Sequence, residues 1–317
     1  MKSIWLSILL IMNMGLANAA VNYKTELTVA HDGSGDFTTI QSAINATKTF
    51  PEVPINIYIK NGVYHEKVEV YSWNTNISLI GENRDKTIIT FNDHFKKINK
   101  GRNSTFHTYT LKVSANDFHA ENLTVINSAG PVGQAVALHV EADRASFFNV
   151  TLKGNQDTLY VAGEGARSYF KNCLIEGTTD FIFGGGTALF ESCEIKSLSN
   201  SFITAASTPK SQPFGFVFNN CVITAASGVN NVYLGRPWRS YAKTVFINSI
   251  LGEHILPTGW NNWGSKEKEQ TVFYGEFNNT GKGANIEKRV QWSQQLTESQ
   301  ANTYTKQRIL RDWQPNF

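Results

Sequence analysis

A short segment that recurs along the chain is the feature that most constrains the fold. The shared pattern is a Phe, any residue, an Asn or Ser, two further residues, and then Val, Ile or Leu, and the first copy has Ala in place of the Phe. The six copies are FHAENLTVINS, FFNVTLKGN, YFKNCLIEG, LFESCEIKS, VFNNCVITA and VFINSILGE. They follow one another at steps of 27, 23, 20, 28 and 28 residues. Short strands at such intervals, without helical segments between them, predict an all-β solenoid of stacked parallel coils.

Equivalent residues of neighbouring coils are expected to form columns, with strands about 4.8 Å apart. The aromatic position holds Ala120, Phe147, Phe170, Phe190, Phe218 and Phe246. The polar position holds Asn122, Asn149, Asn172, Ser192, Asn220 and Asn248. The aliphatic position holds Val125, Leu152, Ile175, Ile195, Ile223 and Leu251. A propeller needs longer repeats of four strands, and a leucine-rich repeat needs a Leu-x-x-Leu-x-Leu spacing that the chain lacks.

The open ends of a solenoid need caps. The segment FTTIQSAINAT has Thr38 and Gln41 at capping-box spacing and predicts a helix at the N-terminal end. A second helical pattern begins at Thr297-x-x-Gln300 and runs to about Leu310. No Pro- or Gly-rich linker divides the chain, so residues 20–317 are predicted to form a single domain.

The three cysteines share one place in the repeat, directly after the polar position. Cys173 and Cys193 are one 20-residue coil apart, and stacked Cα atoms at the coil spacing suit a disulfide. We therefore predict a Cys173–Cys193 disulfide, with Cys221 free. A column of buried free thiols, packed as small apolar groups, is the alternative.

The N-terminus predicts secretion. Lys2 precedes an apolar stretch, and Ala17-Asn18-Ala19 has the pattern of a cleavage site, so residues 1–19 read as a signal peptide. The apolar stretch is short for a membrane span, and the net charge of +3 is far from the profile of a nucleic-acid-binding protein. Six glycosylation sequons follow, at Asn45, Asn76, Asn103, Asn122, Asn149 and Asn278.

Four segments concentrate polar chemistry: QAVAL at Gln134, GNQDTLY with Gln156 and Asp157, DFIFG at Asp180, and YLGRPW with Arg236 and Trp238. The first three are about one coil apart, so their polar residues are expected to lie on adjacent coils. Two close carboxylates do not both ionise easily, which leaves one proton donor and one anion. An Arg would keep one Asp ionised, and glutamines offer N–H donors to an oxyanion.

Each motif also has a purely structural explanation. An Asp after Thr-Thr in a solenoid turn is more often a turn residue, and Arg-Pro-Trp is more often a packed corner. The chain has no G-x-S-x-G and no H-E-x-x-H, so a serine nucleophile elbow and a zinc site lack sequence support. The four segments together, spaced near multiples of the coil length, favour a site.

The combination of QAVAL, QDTLY, DFIFG and LGRPW resembles the pectin methylesterase (pectinesterase) family, from Val29 to Trp292. The resemblance implies a secreted right-handed parallel β-helix that hydrolyses methyl esters of galacturonate units in pectin, methyl-esterified homogalacturonan. It implies no cofactor and no metal, a monomer, no nucleic-acid or membrane partner, and room for a proteinaceous inhibitor as a partner.

The resemblance also implies a role for each site residue. Asp180 is expected to be the nucleophile, and Asp157 the acid that protonates methanol and then the base that activates water. Gln156, assisted by Gln134, would stabilise the oxyanion. Arg236 would hold Asp180, and Trp238 would pack against a sugar. Asn155 departs from the family pattern, which often has an aromatic residue at that position.

Three competing functions remain at this stage. A polygalacturonase or pectate lyase shares the solenoid, but such enzymes need an aspartate cluster or calcium carboxylates, whereas here the acids come with glutamines. A non-catalytic β-helix that binds polysaccharide would keep the columns without needing Asp157, Asp180 and Arg236 together. An esterase acting on a different ester would keep the same chemistry.

Overall fold

A computed structural model describes residues 22–315 and arranges the chain in coils that visit three parallel sheets in turn. The predicted signal peptide, residues 1–19, lies outside the described residues. Sheet A has eleven strands: Glu26–Val29, Ile55–Ile59, Ile77–Gly81, His119–Glu121, Ala145–Phe148, Arg167–Lys171, Thr187–Glu191, Phe216–Asn219, Lys243–Ile247, Phe273–Phe277 and Gln294–Gln295.

Sheets B and C complete each coil. Sheet B has eight strands: Gly62–His65, Thr87–Phe91, Thr124–Asn127, Thr151–Lys153, Leu174–Gly177, Glu194–Ser197, Val222–Ala225 and Ile250–Leu251. Sheet C has seven: Val68–Val70, Leu111–Val113, Leu138–Val140, Leu159–Val161, Ile182–Gly184, Phe202–Ala206 and Tyr233–Gly235. The predicted parallel β-helix is confirmed. Across residues 22–315, no helix combines the length and the apolar character that a membrane crossing requires.

The aromatic column of the repeat is confirmed. Phe147, Phe170, Phe190, Phe218 and Phe246 pair in register along sheet A, and each is fully buried. Consecutive rings stack with centroids 4.6, 4.9, 4.5 and 4.3 Å apart. The aliphatic column pairs in the same way along sheet B, from Val125 to Leu251. Both columns belong to the same buried hydrophobic cluster, which forms the core of the coils.

The polar position explains the turn between these two sheets. All six residues that occupy it, from Asn122 to Asn248, have positive φ between 51° and 55°. A left-handed residue is costly for most side chains, and Asn tolerates it best after Gly. The side chains also bond along the stack, as where Asn149 Nδ2 donates to Asn122 Oδ1 at 2.6 Å. The repeat therefore selects Asn for its backbone conformation.

The cysteine prediction is corrected: Cys173, Cys193 and Cys221 are all buried free thiols, and the predicted disulfide is absent. Each Sγ is directed at a backbone carbonyl of the preceding coil, with Cys173 Sγ 3.5 Å from Phe147 O and Cys193 Sγ 3.5 Å from Phe170 O. The three thiols thus form a column in the core, packed as small apolar groups, which is the alternative to the disulfide.

Both caps differ in detail from the prediction. The N-terminal helix is Ile40–Ala46, and its N-cap is Thr39, whose side chain accepts from Ser42 N, so the Thr38–Gln41 capping box is wrong by one residue. At the other end the Thr297–Gln300 capping box is present, but the helix stops at Ala301. The remaining helices are short: Phe95–Ile98, Lys266–Glu269, Glu298–Ala301 and Lys306–Leu310, with 3₁₀ turns at Gly101–His107 and Lys282–Ala284.

The single C-terminal helix predicted to Leu310 is therefore two helices. Thr305 starts the second one, since its hydroxyl accepts from Arg308 N at 3.3 Å. These helices cover part of the outer face of sheet A, where Leu310 packs against Tyr169 and Leu189. Arg167 of sheet A binds the end of the second helix, because it donates to Leu310 O and, at 2.8 Å, to Asp312 Oδ1.

Candidate active site

The polar segments converge on one cleft on the outer side of sheet C. Its volume is about 530 Å³. The predicted site residues that line it are Gln134, Gln156, Asp157, Asp180, Arg236 and Trp238. All of them lie in the connections that enter or leave sheet C strands. The prediction that they come together on adjacent coils is borne out by this geometry.

The two aspartates occupy equivalent places on successive coils. Leu159 pairs with Ile182 in sheet C, and each aspartate lies two residues before one of these partners. Asp157 N donates to Thr179 O at 3.1 Å, which continues the same register into the connection. The backbones at the two aspartates are therefore about one coil spacing apart, about 4.8 Å. Both residues are left-handed, with φ of 66° at Asp157 and 50° at Asp180.

The glutamines are joined in the same manner. Gln134 and Gln156 form an isolated parallel bridge, and Ala135 N donates to Gln156 O at 3.1 Å. Both side chains are half-buried in the cleft wall. Along the stack, Gln134 therefore lies on the coil before Asp157, Gln156 lies next to Asp157 on the same coil, and Asp180 lies on the coil after it.

Arg236 holds Asp180 in a two-point contact. Its Nε lies 2.9 Å from Asp180 Oδ1, and its Nη2 lies 2.8 Å from Oδ2. The guanidinium is sandwiched between two rings, 3.9 Å from the centroid of Phe202 and 3.7 Å from that of Trp263. Planar stacking and a bidentate carboxylate contact are the two properties that distinguish Arg from Lys.

Gly235 explains how the arginine comes so close to the neighbouring strand. A Cβ at this position would lie 1.9 Å from Thr204 Oγ1, so only Gly fits. Arg236 N then donates to Thr204 O at 2.9 Å, which fixes the start of its side chain. The residue before Arg236, at the end of this strand, must therefore be glycine.

Burial divides the two carboxyls into different states. Asp157 is 8% exposed and Asp180 is 5% exposed. Burial raises the pKa of Asp157 well above its ordinary value, the negative charge of Asp180 raises it further, and Arg236 opposes the rise. Burial also raises the pKa of Asp180, but the hydrogen bonds and the charge of Arg236 counteract it. As pH rises, Asp180 therefore ionises first, and Asp157 keeps its proton to higher pH.

Aromatic side chains supply apolar surface to the cleft. Trp238 packs with its ring centroid 6.0 Å from that of Phe183, and both line the cleft together with Phe106. Asn155 is not among the lining residues, and its backbone oxygen accepts from Thr178 N at 3.0 Å. Apolar surface in this cleft therefore comes from other coils than the one that carries Asn155.

Several residues in or beside the cleft were not identified from the sequence. Trp263 and Phe202 hold the arginine, and Arg102 and Arg239 bring positive charge to the cleft. Arg239 directly follows the quoted motif, so extending YLGRPW by one residue would have included it. Trp263 ends the segment ILPTGWNNW, which also resembles the family, whereas Phe202 and Arg102 lie in segments without a recognisable motif. Within residues 22–315, no group of three or more His, Cys, Asp or Glu side chains is placed to hold a metal ion.

Comparison with known proteins decides the family. The Pectinesterase family model matches residues 26–312. This chain belongs to the pectinesterase family. A probable pectinesterase/pectinesterase inhibitor of Arabidopsis thaliana is 38% identical over 303 residues, covering 91% of this chain and 52% of the relative. A pectinesterase of Petunia integrifolia is 39% identical over 285 residues, covering 86% of this chain and 75% of the relative. The chain thus spans about half the length of the first of these relatives.

Solved pectinesterase structures share the fold along nearly the whole chain. The pectin methylesterase from carrot superposes with a TM-score of 0.84 at 34% identity, covering 90% of this chain and 92% of that one. A pectin methylesterase in complex with a hexasaccharide gives 0.81 at 32% identity, covering 92% and 98%. The predicted pectinesterase membership and the predicted β-helix are therefore both confirmed.

Proposed function

We propose that this protein hydrolyses the methyl esters of galacturonate units in pectin, releasing methanol and leaving carboxylates on the polymer. The observation that carries the proposal is the unequal pair of carboxyls in one cleft. Asp180 lies in the two-point contact of Arg236, whereas Asp157, one coil away, keeps its proton. An ionised carboxylate beside a protonated one supplies a nucleophile and an acid for acyl transfer.

In the first half of the reaction, the carboxylate of Asp180 attacks the ester carbonyl carbon. The electron pair of the carbonyl moves to oxygen, and the N–H groups of Gln156 and Gln134 donate to that oxyanion. The C–O bond to the methoxy group then breaks while Asp157 gives its proton to the departing oxygen. Methanol leaves, and an acyl anhydride joins the sugar carboxyl to Asp180.

In the second half, Asp157 is a carboxylate and takes a proton from water. The resulting hydroxide attacks the acyl carbon, and the bond between that carbon and the Asp180 oxygen breaks. Asp180 returns as a carboxylate and Asp157 is again protonated. Arg236 keeps Asp180 oriented through both halves of the reaction. Phe202 and Trp263 hold the guanidinium in place, and its two hydrogen bonds fix the orientation of the Asp180 carboxylate. Trp238 offers a ring face at the cleft for the sugar.

The same proposal places the protein outside the cell, where pectin is found, in agreement with the signal peptide predicted for residues 1–19. It acts as a monomer, since one chain supplies every group used above. The names of the Arabidopsis relatives, which join pectinesterase with pectinesterase inhibitor, support a proteinaceous inhibitor as a regulatory partner.

Methanol release from highly methyl-esterified pectin, with viscosity followed in parallel, tests the proposal. We expect methanol without a fall in viscosity, because ester hydrolysis leaves the polymer backbone whole. A rapid loss of viscosity without methanol would replace the proposal with a depolymerase. Methanol from simple methyl esters but none from pectin would keep the chemistry and change the substrate.

A further inference from the structure

Gln134 lies against a loop that contributes to the cleft wall. The loop spans residues 94–107 and contains the helix Phe95–Ile98 and the 3₁₀ turn Gly101–His107. Phe95 N donates to Gln134 O at 2.9 Å, so the loop and the backbone of Gln134 hold each other in place. The loop supplies four residues that line the cleft: Arg102, Asn103, Thr105 and Phe106.

Asn127 joins both ends of this loop to the segment that follows Gln134. Its Nδ2 lies 2.9 Å from Asp93 O and 3.0 Å from Thr108 O, and these two residues flank the loop. The same nitrogen lies 3.0 Å from Val136 O, two residues after Gln134. Asn127 is 3% exposed, and an amide nitrogen has two hydrogens, so three carbonyls share them inside the protein.

Thr108 holds the same segment through a second contact. Its hydroxyl accepts from Val136 N at 2.9 Å and donates to Thr105 O at 2.7 Å, and the residue is fully buried. Side chains therefore bind both backbone polar groups of Val136, the N–H through Thr108 and the C=O through Asn127. The side chain of Val136 belongs to the same apolar cluster as Phe183, which lines the cleft.

The coil of Asn127 differs from the two that follow it. Asn127, Gly154 and Gly177 occupy one register position at the ends of successive sheet B strands. A Cβ at Gly154 would lie 2.6 Å from Thr158 Oγ1, and a Cβ at Gly177 would lie 2.3 Å from Phe181 Cβ. Those coils have no room for a side chain at this position, whereas the coil of Asn127 accommodates an amide that binds the loop.

We propose that Asn127, together with Thr108, is a positioning residue for the oxyanion donor Gln134. The inference rests on the proposed function, because that reaction gives Gln134 its oxyanion. Neither Asn127 nor Thr108 lines the cleft, so both act through the backbone next to Gln134 and through the loop. A donor stabilises an oxyanion only when its N–H groups are directed at that oxygen, so a displacement of about 1 Å lowers the rate strongly.

A double-mutant cycle on kcat for methanol release tests the positioning role. Asn127→Ala should lower kcat by about 10–10²-fold in the otherwise unaltered protein. In a Gln134→Ala background the same substitution should lower kcat by less than about twofold, because the donor that Asn127 positions is already missing. A merely structural role would give the same fold-loss in both backgrounds, and that result would overturn the assignment.

Thr108 provides the test a second way, in case Asn127→Ala does not fold with three buried carbonyls deprived of their donor. Thr108→Val removes the hydroxyl and keeps the shape of the side chain, and its loss of kcat should again depend on the presence of Gln134. Thr108→Ser keeps the hydroxyl and should restore kcat to near the value of the unaltered protein. Equal kcat values for Thr108→Val and Thr108→Ser would overturn the assignment.

Asn279 offers a matched control in a later coil. Its Nδ2 donates to Phe246 O at 3.1 Å, its Oδ1 accepts from Ser249 N at 2.9 Å, and it does not line the cleft. Asn279→Ala should lower the free energy of unfolding, measured in urea, and leave kcat unchanged. A fall in kcat like that of Asn127→Ala would mean that kcat follows stability, which would refute the positioning role. No methanol from the unaltered protein would instead refute the proposed function, and this inference with it.

Discussion

Asp157 and Asp180 stand at equivalent positions of adjacent coils, but only Asp180 is held by an arginine. The repeat supplies their spacing, and their surroundings supply the difference between them. Asp180 has Arg236 to stabilise its negative charge, whereas Asp157 has burial and the charge of Asp180 against its ionisation. The same position on two adjacent coils thus holds two carboxyls that ionise at different pH, as acyl transfer with acid–base assistance requires.

Replacing the nucleophile is the first test of this division. Asp180→Asn should reduce methanol release by more than about 10³-fold, because an amide oxygen is a poor nucleophile. Folding should survive with a loss of roughly 1–3 kcal/mol in the free energy of unfolding, since Asn accepts one of the two bonds from Arg236 without the charge. Kinetics on methyl-esterified pectin and urea unfolding measure the two effects. Near-normal turnover in the folded variant would make Asp180 a turn residue.

The oxyanion assignment predicts a smaller effect. Gln156→Ala should lower kcat by about 10²–10³-fold, as expected for the removal of one oxyanion donor. Gln156→Glu should be worse than Ala, because it places an acceptor and a negative charge where the oxyanion forms. Steady-state kinetics on methylated pectin compare the two variants. If Glu restores activity relative to Ala, Gln156 acts through packing and not through donation.

Arg236→Lys keeps the positive charge but removes the planar guanidinium group. We expect kcat to fall by at least about tenfold, because an ammonium cannot contact both oxygens of Asp180 or fill the space between Phe202 and Trp263. The pH at which the acidic limb of the rate profile falls should also move, since the contact with Asp180 changes. Rates measured across pH check both effects. A variant with wild-type kcat and profile would mean that charge alone matters.

The stacked architecture could be predicted because each coil repeats the same pattern of buried and turn residues. Phe190 and its counterparts sit at one register position, so their spacing in the sequence was enough to place them in one column. The convergence of Gln134, Gln156 and Asp180 followed from the same arithmetic. The recurring Asn also marked the position of the left-handed turn in the repeat. Its positive φ, which explains the preference for Asn, is seen only in the structure.

Features outside the repeat could not be predicted in this way. Trp263 reaches Arg236 from a later loop, and no spacing in the sequence relates the two. The helix boundary at Thr39 depends on which hydroxyl meets Ser42 N, a choice between adjacent threonines that pattern does not resolve. Cys173 and Cys193 remain free thiols whose Sγ atoms donate to backbone carbonyls of the preceding coil, and coil spacing alone does not distinguish this arrangement from a disulfide.

The cysteine column gives a direct chemical test. All three thiols are buried in the core, and burial raises the pKa of Cys173 and Cys193 well above the ordinary value, so they should not react in the folded protein. After unfolding without reductant, thiol titration should find three free groups per chain. The reduced and denatured protein is the control and should give the same number. One free group would mean that Cys173 and Cys193 are bonded after all.

The protonated state of Asp157 makes activity depend on pH in a predictable direction. Release of methanol needs Asp157 protonated and Asp180 ionised, so kcat should follow a bell-shaped profile. The alkaline limb should fall as pH rises through the raised pKa of Asp157, and the acidic limb should fall as Asp180 takes up a proton. Asp157→Asn removes the proton donor and should lower kcat by about 10²–10⁴-fold.

The raised pKa of Asp157 should also make the free energy of unfolding depend on pH. An Asp in the unfolded chain releases its proton near pH 4, whereas the folded protein retains that of Asp157 to higher pH. Between these two pKa values the folded state binds more protons, so the free energy of unfolding should fall as pH rises. The Asn side chain in Asp157→Asn cannot ionise, so the free energy of unfolding of this variant should fall less as pH rises. Urea unfolding of both proteins at several pH values above 4 makes the comparison. Parallel curves would mean that Asp157 is ionised in the folded protein, and the assignment of the acid would have to be given up.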